Sequence, residues 1–235
     1  MGEKNSAAEG NGMWEKEFVE KAFQRCLERG WMKELIPSAI TEQEIADFEE
    51  KYQVKLPSLF KAYLTTYRLP ESDFEICGIA DHAGEISPLW LMLCGYANMK
   101  DLAEAVEGFR GDVDLYGDVT AKNCGNIIPI GDWGAGWGPL YLDLAKPEEL
   151  VDEEDESTWA LRWFDHEEFH WDEYYLGKDG LLHGTPAAPD LKTLLEWYFC
   201  GSLEPEFEEE YQVKVSYERL NNEEFCDSYW DDKWK

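Results

Sequence analysis

No Cys-x-x-Cys pair occurs among the six cysteines of this chain, Cys26, Cys77, Cys94, Cys124, Cys200 and Cys226. Their wide separation speaks against a zinc ribbon or a thioredoxin-like redox site. Several sit in apolar periodic segments, where a thiol packs as a small hydrophobe. Positive charge is scarce as well: 21 Lys and Arg stand against 51 Asp and Glu, a net charge of −30. Such a surface gains no counterion release on nucleic acid and is repelled by anionic membranes, so neither is an expected partner. The acidity suits either a basic protein partner or plain solubility. No run is long and apolar enough to span a bilayer, and Met1 to Gly12 lacks the basic-then-apolar profile of a secretory signal. The expectation is a cytoplasmic protein with reduced thiols and no cofactor. Internal repeats and proline-rich or glycine/serine-rich linkers are also missing, which favours one domain.

Apolar material is plentiful. Hydrophobic residues make up 44% and aromatics 14% of 235 residues, enough to bury a substantial core. Residues 1–12 read as a disordered tail. A helix is expected from Met13, with Trp14, Phe18, Ala22 and Cys26 four apart, Val19, Phe23 and Leu27 in the adjacent row, and Gly30 as a stop. Thr41-Glu42-Gln43-Glu44 has capping-box spacing and opens a second helix with Ile45, Phe48 and Tyr52 on its apolar face. Leu56-Pro57 opens a third, whose stripe is Leu59, Phe60, Tyr63, Leu64 and Tyr67. Strand signals follow at Phe74–Ile79 and Leu89–Leu93. Asn98 is placed to cap a helix carrying Leu102, Val106 and Phe109.

Ile127-Ile128-Pro129-Ile130 and Leu140-Tyr141-Leu142-Asp143-Leu144 flank a glycine-rich stretch and read as a hairpin, the second strand half-buried by its alternation. Trp159, Leu161 and Trp163 alternate with Ala160 and Arg162. Asp190 is placed to cap a closing helix with Leu191, Leu194, Leu195, Tyr198 and Phe199 inward and Gly201 at its end. Helices gathered first, strands in the middle and a closing helix predict an α+β domain with one central, mostly antiparallel sheet.

Four of these segments, in this order over about residues 38–203, resemble the SUKH superfamily. Ile45-x-x-Phe48-Glu49-x-x-Tyr52-x-Val54-Lys55-Leu56-Pro57 is similar to its opening motif, in which a helix with a late glutamate leads to "LP". Ile128-Pro129-Ile130-Gly131-Asp132 through Leu142-Asp143-Leu144 resembles its core strand pair. Trp163-Phe164-Asp165-His166-Glu167 and Leu194-Leu195-Glu196-Trp197-Tyr198 resemble its next strand and closing helix. The resemblance implies an α+β fold and covers neither the N-terminal helix nor the tail after Tyr211; the domain as a whole is expected to span 13–215, with 216–235 as an acidic and aromatic extension. It also implies a non-enzymatic protein-binding role without shared catalytic residues. Many bacterial members look like immunity proteins against polymorphic toxins, and others are similar to regulators of cell-wall synthesis. The expected partner is thus a basic toxin domain, a nuclease among the options, with a cell-wall-regulator type of scaffold as the alternative.

Candidate site residues follow from chemistry. Trp133 and Trp137, beside Asp132 in the hairpin turn, are either core lids or exposed anchors of the kind favoured at interfaces. The run Glu148–Glu156, with Glu153, Glu154, Asp155 and Glu156 at its centre, connects the hairpin to the next strand. This run, Glu204–Glu210 and Glu223–Asp232 lack the spaced order of a calcium loop and read as solvated faces or as docking surface for a basic protein. His166-Glu167-Glu168-Phe169-His170 fits H-E-x-x-H, and a zinc hydrolase using His166, Glu167 and His170 is the enzyme alternative. That chemistry needs both imidazoles on one helical face and a third ligand, whereas the motif follows a strand-like segment. The glycines of the hairpin lack the lysine and the following helix of a phosphate cradle.

Thirty excess negative charges in one domain repel each other, and salt screens that repulsion over about 8–10 Å at 0.1–0.15 M. The melting temperature is therefore expected to rise as sodium chloride increases from near zero to about 0.2 M. A calorimetric series showing a fall would mean that the carboxylates are well paired.

Overall fold

The computed structural model describes residues 6–71, 73–81, 90–134, 137–146, 150–202 and 214–219. The runs Glu204–Glu210 and Glu223–Asp232, the pair Glu148-Glu149 and Cys226 lie outside the described residues.

Among the described residues, six α-helices and a seven-stranded antiparallel sheet form an α+β layout. The helices are α1 (Ser6–Glu28), α2 (Glu42–Tyr52), α3 (Ser58–Thr66), α4 (Met99–Asp112), α5 (Trp171–Tyr174) and α6 (Leu191–Tyr198). A two-stranded ribbon joins β1 (Ile36–Pro37) to β2 (Tyr67–Arg68). The main sheet comprises β3 (Asp73–Asp81), β4 (Leu91–Cys94), β5 (Ile127–Trp133), β6 (Gly138–Asp143), β7 (Leu161–Trp163), β8 (Thr185–Ala188) and β9 (Lys214–Arg219). Its spatial order is β8-β7-β6-β5-β4-β3-β9.

Local chemistry accounts for the helix ends. Thr41 Oγ1 accepts from the Glu44 amide and the Glu44 carboxylate accepts from the Thr41 amide, so the capping box is closed. Asn98 Oδ1 accepts from the Lys100 and Asp101 amides, and Asp190 Oδ1 from the Thr193 amide. The Trp31 amide reaches back to Cys26 O and the Gly30 amide to Leu27 O, a Schellman closure of α1. That helix begins at Ser6 and not at Met13, so part of the stretch expected to be a disordered tail is helical. Ala7, Ala8 and Glu9 favour this conformation. Its buried stripe is Val19, Ala22, Phe23 and Cys26, whereas Trp14 is exposed.

Glu49 joins α2 to α3. Its side chain is 7% exposed, and its Oε1 accepts from the Leu56 amide at 2.8 Å. Lys55 and Lys61 each bring an ammonium to 3.0 Å from one of its oxygens. This is the glutamate of the "E…LP" motif, and its task is to hold the turn that Pro57 ends.

The main core lies between the helices and one face of the sheet. There Phe23, Phe60, Leu102, Leu194 and Phe199 meet Phe74, Leu91, Ile128, Leu140 and Leu161. A second cluster covers the other face at β5, β6 and the residues after β7, with Val113, Ile127, Tyr141, Phe164, Trp171 and Leu182 at its centre. The hairpin strand β6 is therefore buried on both faces rather than half-buried, with Leu140 and Leu142 toward the helices and Tyr141 toward the second cluster. The same holds at β7, where Arg162 is buried as well as Leu161. Between β5 and β6 the register shifts across Pro129 and Gly131, with Ile130 as the extra residue. At Gly131 the backbones of β5 and β4 approach so closely that a Cβ would meet Met92 O at 1.9 Å.

One feature of the sheet differs from expectation. The closing helix α6 is not the last element, because β9 follows it and pairs with β3 along Ile76–Asp81. The boundary drawn between 215 and 216 thus falls inside a strand. Every pairing among the described strands is antiparallel.

Burial opposes the charge on Glu49, but the Leu56 amide and the two ammonium groups outweigh it and hold its carboxyl below the usual range. A depressed folded pKa contributes stability that is complete above the unfolded value, near 4.3, and is lost as pH falls through the folded value. Glu49→Gln is expected to cost about 1.5–3 kcal/mol at neutral pH, the range of hydrogen bonds to a charged group. The cost should shrink in acid, as urea unfolding of both proteins at pH 7 and pH 3 will show.

Candidate protein-binding site

Asp132, Trp133 and Trp137 stand at the hairpin turn, where β5 ends and β6 begins. Gly134 takes the left-handed conformation, φ +68°, and the Trp137 ring folds over it so closely that a Cβ there would lie 2.3 Å from Cε3. Glycine is required on both counts. Trp137 leans on Trp163, ring centroids 6.0 Å apart, and is 43% exposed. Its carbonyl takes two contacts from His166, the amide at 3.1 Å and Nδ1 at 2.7 Å. Trp133 differs. It is part-buried against the main core, edge-on to Tyr198 with centroids 6.3 Å apart. Of the two readings left open by the sequence, Trp133 is a lid and Trp137 an exposed ring.

Glu153, Glu154, Asp155 and Glu156 lie in the connection from β6 to β7, at the other end of β6. That six-residue strand separates the two groups by about 20 Å at about 3.3 Å per residue. The structure does not bring the acidic run and the tryptophans onto one spot. The run is an ordered loop. Asp152 Oδ1 accepts from the Glu154 amide, Asp155 Oδ1 from the Ser157 amide, and Trp159 Nε1 donates to Asp152 O. Bonds from Ser157 hold the Asp155 carboxyl below the usual carboxylate range.

Arg162 anchors that loop from inside. Its Nε donates to Gly184 O at 2.8 Å, and Nη1 lies 3.3 Å from Glu156 O and 3.4 Å from Trp159 O. A buried guanidinium needs such acceptors, because leaving its donors unpaired costs several kcal/mol. The acidic backbone is thus built around a cation while its side chains face out.

His166 to His170 form a turn and extended chain, not a helix. The two imidazoles therefore lack the one-turn helical spacing that H-E-x-x-H chemistry uses. His166 Nδ1 faces the Trp137 carbonyl, and His170 precedes the first turn of α5. Among the described residues no group of three or more His, Cys, Asp or Glu is arranged to hold a metal ion. Cys26, Cys94, Cys124 and Cys200 are free thiols, and burial pushes Cys124 up to about 11.

From sequence, the stretch from Phe164 to Tyr175 reads as a solvated strand end. The structure makes it the outer wall of the second cluster, and Phe169 and Tyr174 are strongly exposed on it. The failure of Phe164, Phe169, Trp171, Tyr174 and Tyr175 to form one helical stripe was the available signal, since scattered aromatics in a loop must pack on something else or stay in water.

Trp133→Ala is expected to destabilise the fold by about 2–3 kcal/mol, somewhat below the range for a fully buried tryptophan. Trp137→Ala should cost under about 1 kcal/mol, as a largely exposed position does. Chemical unfolding of the two variants measures this, and equal losses would remove the distinction between lid and exposed ring.

The chain matches no family model, no curated protein and no solved structure.

Proposed function

We propose that this chain is a non-enzymatic protein-binding module that blocks a basic partner by stoichiometric occlusion, in the manner of the SUKH immunity proteins that its motifs resemble. The observation that carries the reading is the exposed Trp137, clamped at its carbonyl by His166, on a molecule of net charge −30. A held aromatic ring contributes desolvated contact at low entropic cost, and long-range negative charge speeds encounter with a basic surface. Glu49 on Leu56 and the bulged β5–β6 pair support the resemblance, because two of its motifs form a capped helix turn and a strand pair. No helix among the described residues is long and apolar enough to cross a membrane.

The two separated groups lead to separable kinetics. Association with a basic toxin domain encoded beside this gene is expected to slow steeply with salt, while dissociation changes less. Replacing Glu153, Glu154 and Glu156 by Gln should mainly lower the on-rate; Asp155 is left intact because it caps the Ser157 amide. Trp137→Ala should mainly raise the off-rate. Stopped-flow or surface-based kinetics on each variant tests this. Equal binding by all of them places the interface elsewhere, and no binding at all sinks the immunity assignment for that pair.

A further inference from the structure

Five aromatic rings run outward from the sheet in one column. Tyr141 of β6 stacks on Phe164 with centroids 4.8 Å apart, and Phe164 on Trp171 at 4.5 Å. Trp171 stacks on Tyr116 at 4.0 Å, and Tyr116 on Phe169 at 6.4 Å. The inner members are held firmly: Tyr141, Phe164 and Trp171 are at most 1% exposed. The Trp171 amide donates to Tyr116 O, and Trp171 Nε1 donates to Asp165 O. Phe169 ends the column. It is 64% exposed, and among the described residues Tyr116 is its one ring partner.

The chain segments that carry this ring and its partner are chemically one-sided. The two segments, 112–118 and 164–177, contain Asp112, Asp114, Asp118, Asp165, Glu167, Glu168, Asp172 and Glu173, and neither holds a lysine or arginine. None of these eight carboxylates forms an ion pair among the described residues. Leu115, 69% exposed, adds apolar surface beside Tyr116.

We infer that Phe169 is the docking platform for an arginine side chain presented by a polypeptide partner, the guanidinium stacking on the ring and its charge answering the acidic segments that carry it. Arginine suits the site better than lysine because its planar, weakly hydrated cation stacks on an aromatic face, whereas an ammonium keeps its water. An apolar residue would use the ring but leave the carboxylates unanswered. The inference rests on the reading of this chain as a binder of a basic protein, and adds the place and the residue type.

The test uses two dodecapeptides, alternating glycine with arginine and glycine with lysine, titrated into the full-length protein at low salt. Charge and length are equal, so general attraction to a −30 surface cancels in the comparison. The arginine peptide is expected to bind about fivefold or more tighter than the lysine peptide. Phe169→Ala should abolish that preference while both peptides still bind, and Phe169→Trp should retain it. Equal affinity for both peptides in the parent protein, or a preference that survives Phe169→Ala, overturns the inference alone. A preference lost in Trp137→Ala but kept in Phe169→Ala overturns it in favour of the hairpin turn. Failure of either peptide to bind at all would sink the basic-partner reading together with the inference.

Discussion

Stacking of Tyr141, Phe164 and Trp171 is the constraint on which the far face of the sheet depends. A sheet with helices on one side leaves its other face to water unless something covers it. Here β6 places a tyrosine on that second face, and the chain after β7 must return over it to reach β8. The ring pairs add about 0.5–1.5 kcal/mol each to the burial of their surface. They also fix where the return chain runs, because Phe164 and Trp171 lie on it and Tyr116 reaches it from the segment after α4. The Tyr141 hydroxyl accepts from the Gly184 amide at 2.6 Å, so the same residue ties down the far end of the return. Burial pushes its own ionisation well above the ordinary range, and it acts as a neutral hydrogen-bonding ring.

Two buried charged side chains organise the loops around this frame, one of each sign. Glu49 holds the α2–α3 turn by collecting an amide and two ammonium groups, and Arg162 holds the acidic loop and the approach to β8 by collecting three carbonyls. Each is buried only because its partners are already at hydrogen-bond distance, as the desolvation cost requires. The consequence for function is spatial. With Arg162 beneath it, the acidic loop sits at one end of β6, while the hairpin turn with Trp137 belongs to the other end. A partner steered by the first group and anchored by the second must span about 20 Å, a distance well within an ordinary protein–protein contact.

Local signals were legible wherever one residue type had one physical task. Thr41 with Glu44, Asn98 and Asp190 announced helix starts because few other arrangements satisfy the exposed amides of a first turn. The hairpin was legible from β-prone residues around a glycine-rich turn, and the α+β class from the order of the elements. Helix propensity before Met13 was there to be read in Ala7, Ala8 and Glu9, but two following glycines obscured it. By itself, then, the sequence determined the caps, the order of the elements from the first helix to the closing one and the net charge of −30. Only the tertiary structure decided which faces were covered. Alternation at β6 and β7 looks the same whether the second face meets water or a second core, since tyrosine and arginine suit both. It took the return chain from Phe164 to Gly184 to bury Tyr141 and Arg162, and the main core with Tyr198 to make Trp133 a lid while Trp137 stayed outside; β6 then put the acidic run and Trp137 at opposite ends of one strand. Those outcomes depend on contacts between residues far apart in the chain, which periodicity within a segment does not encode.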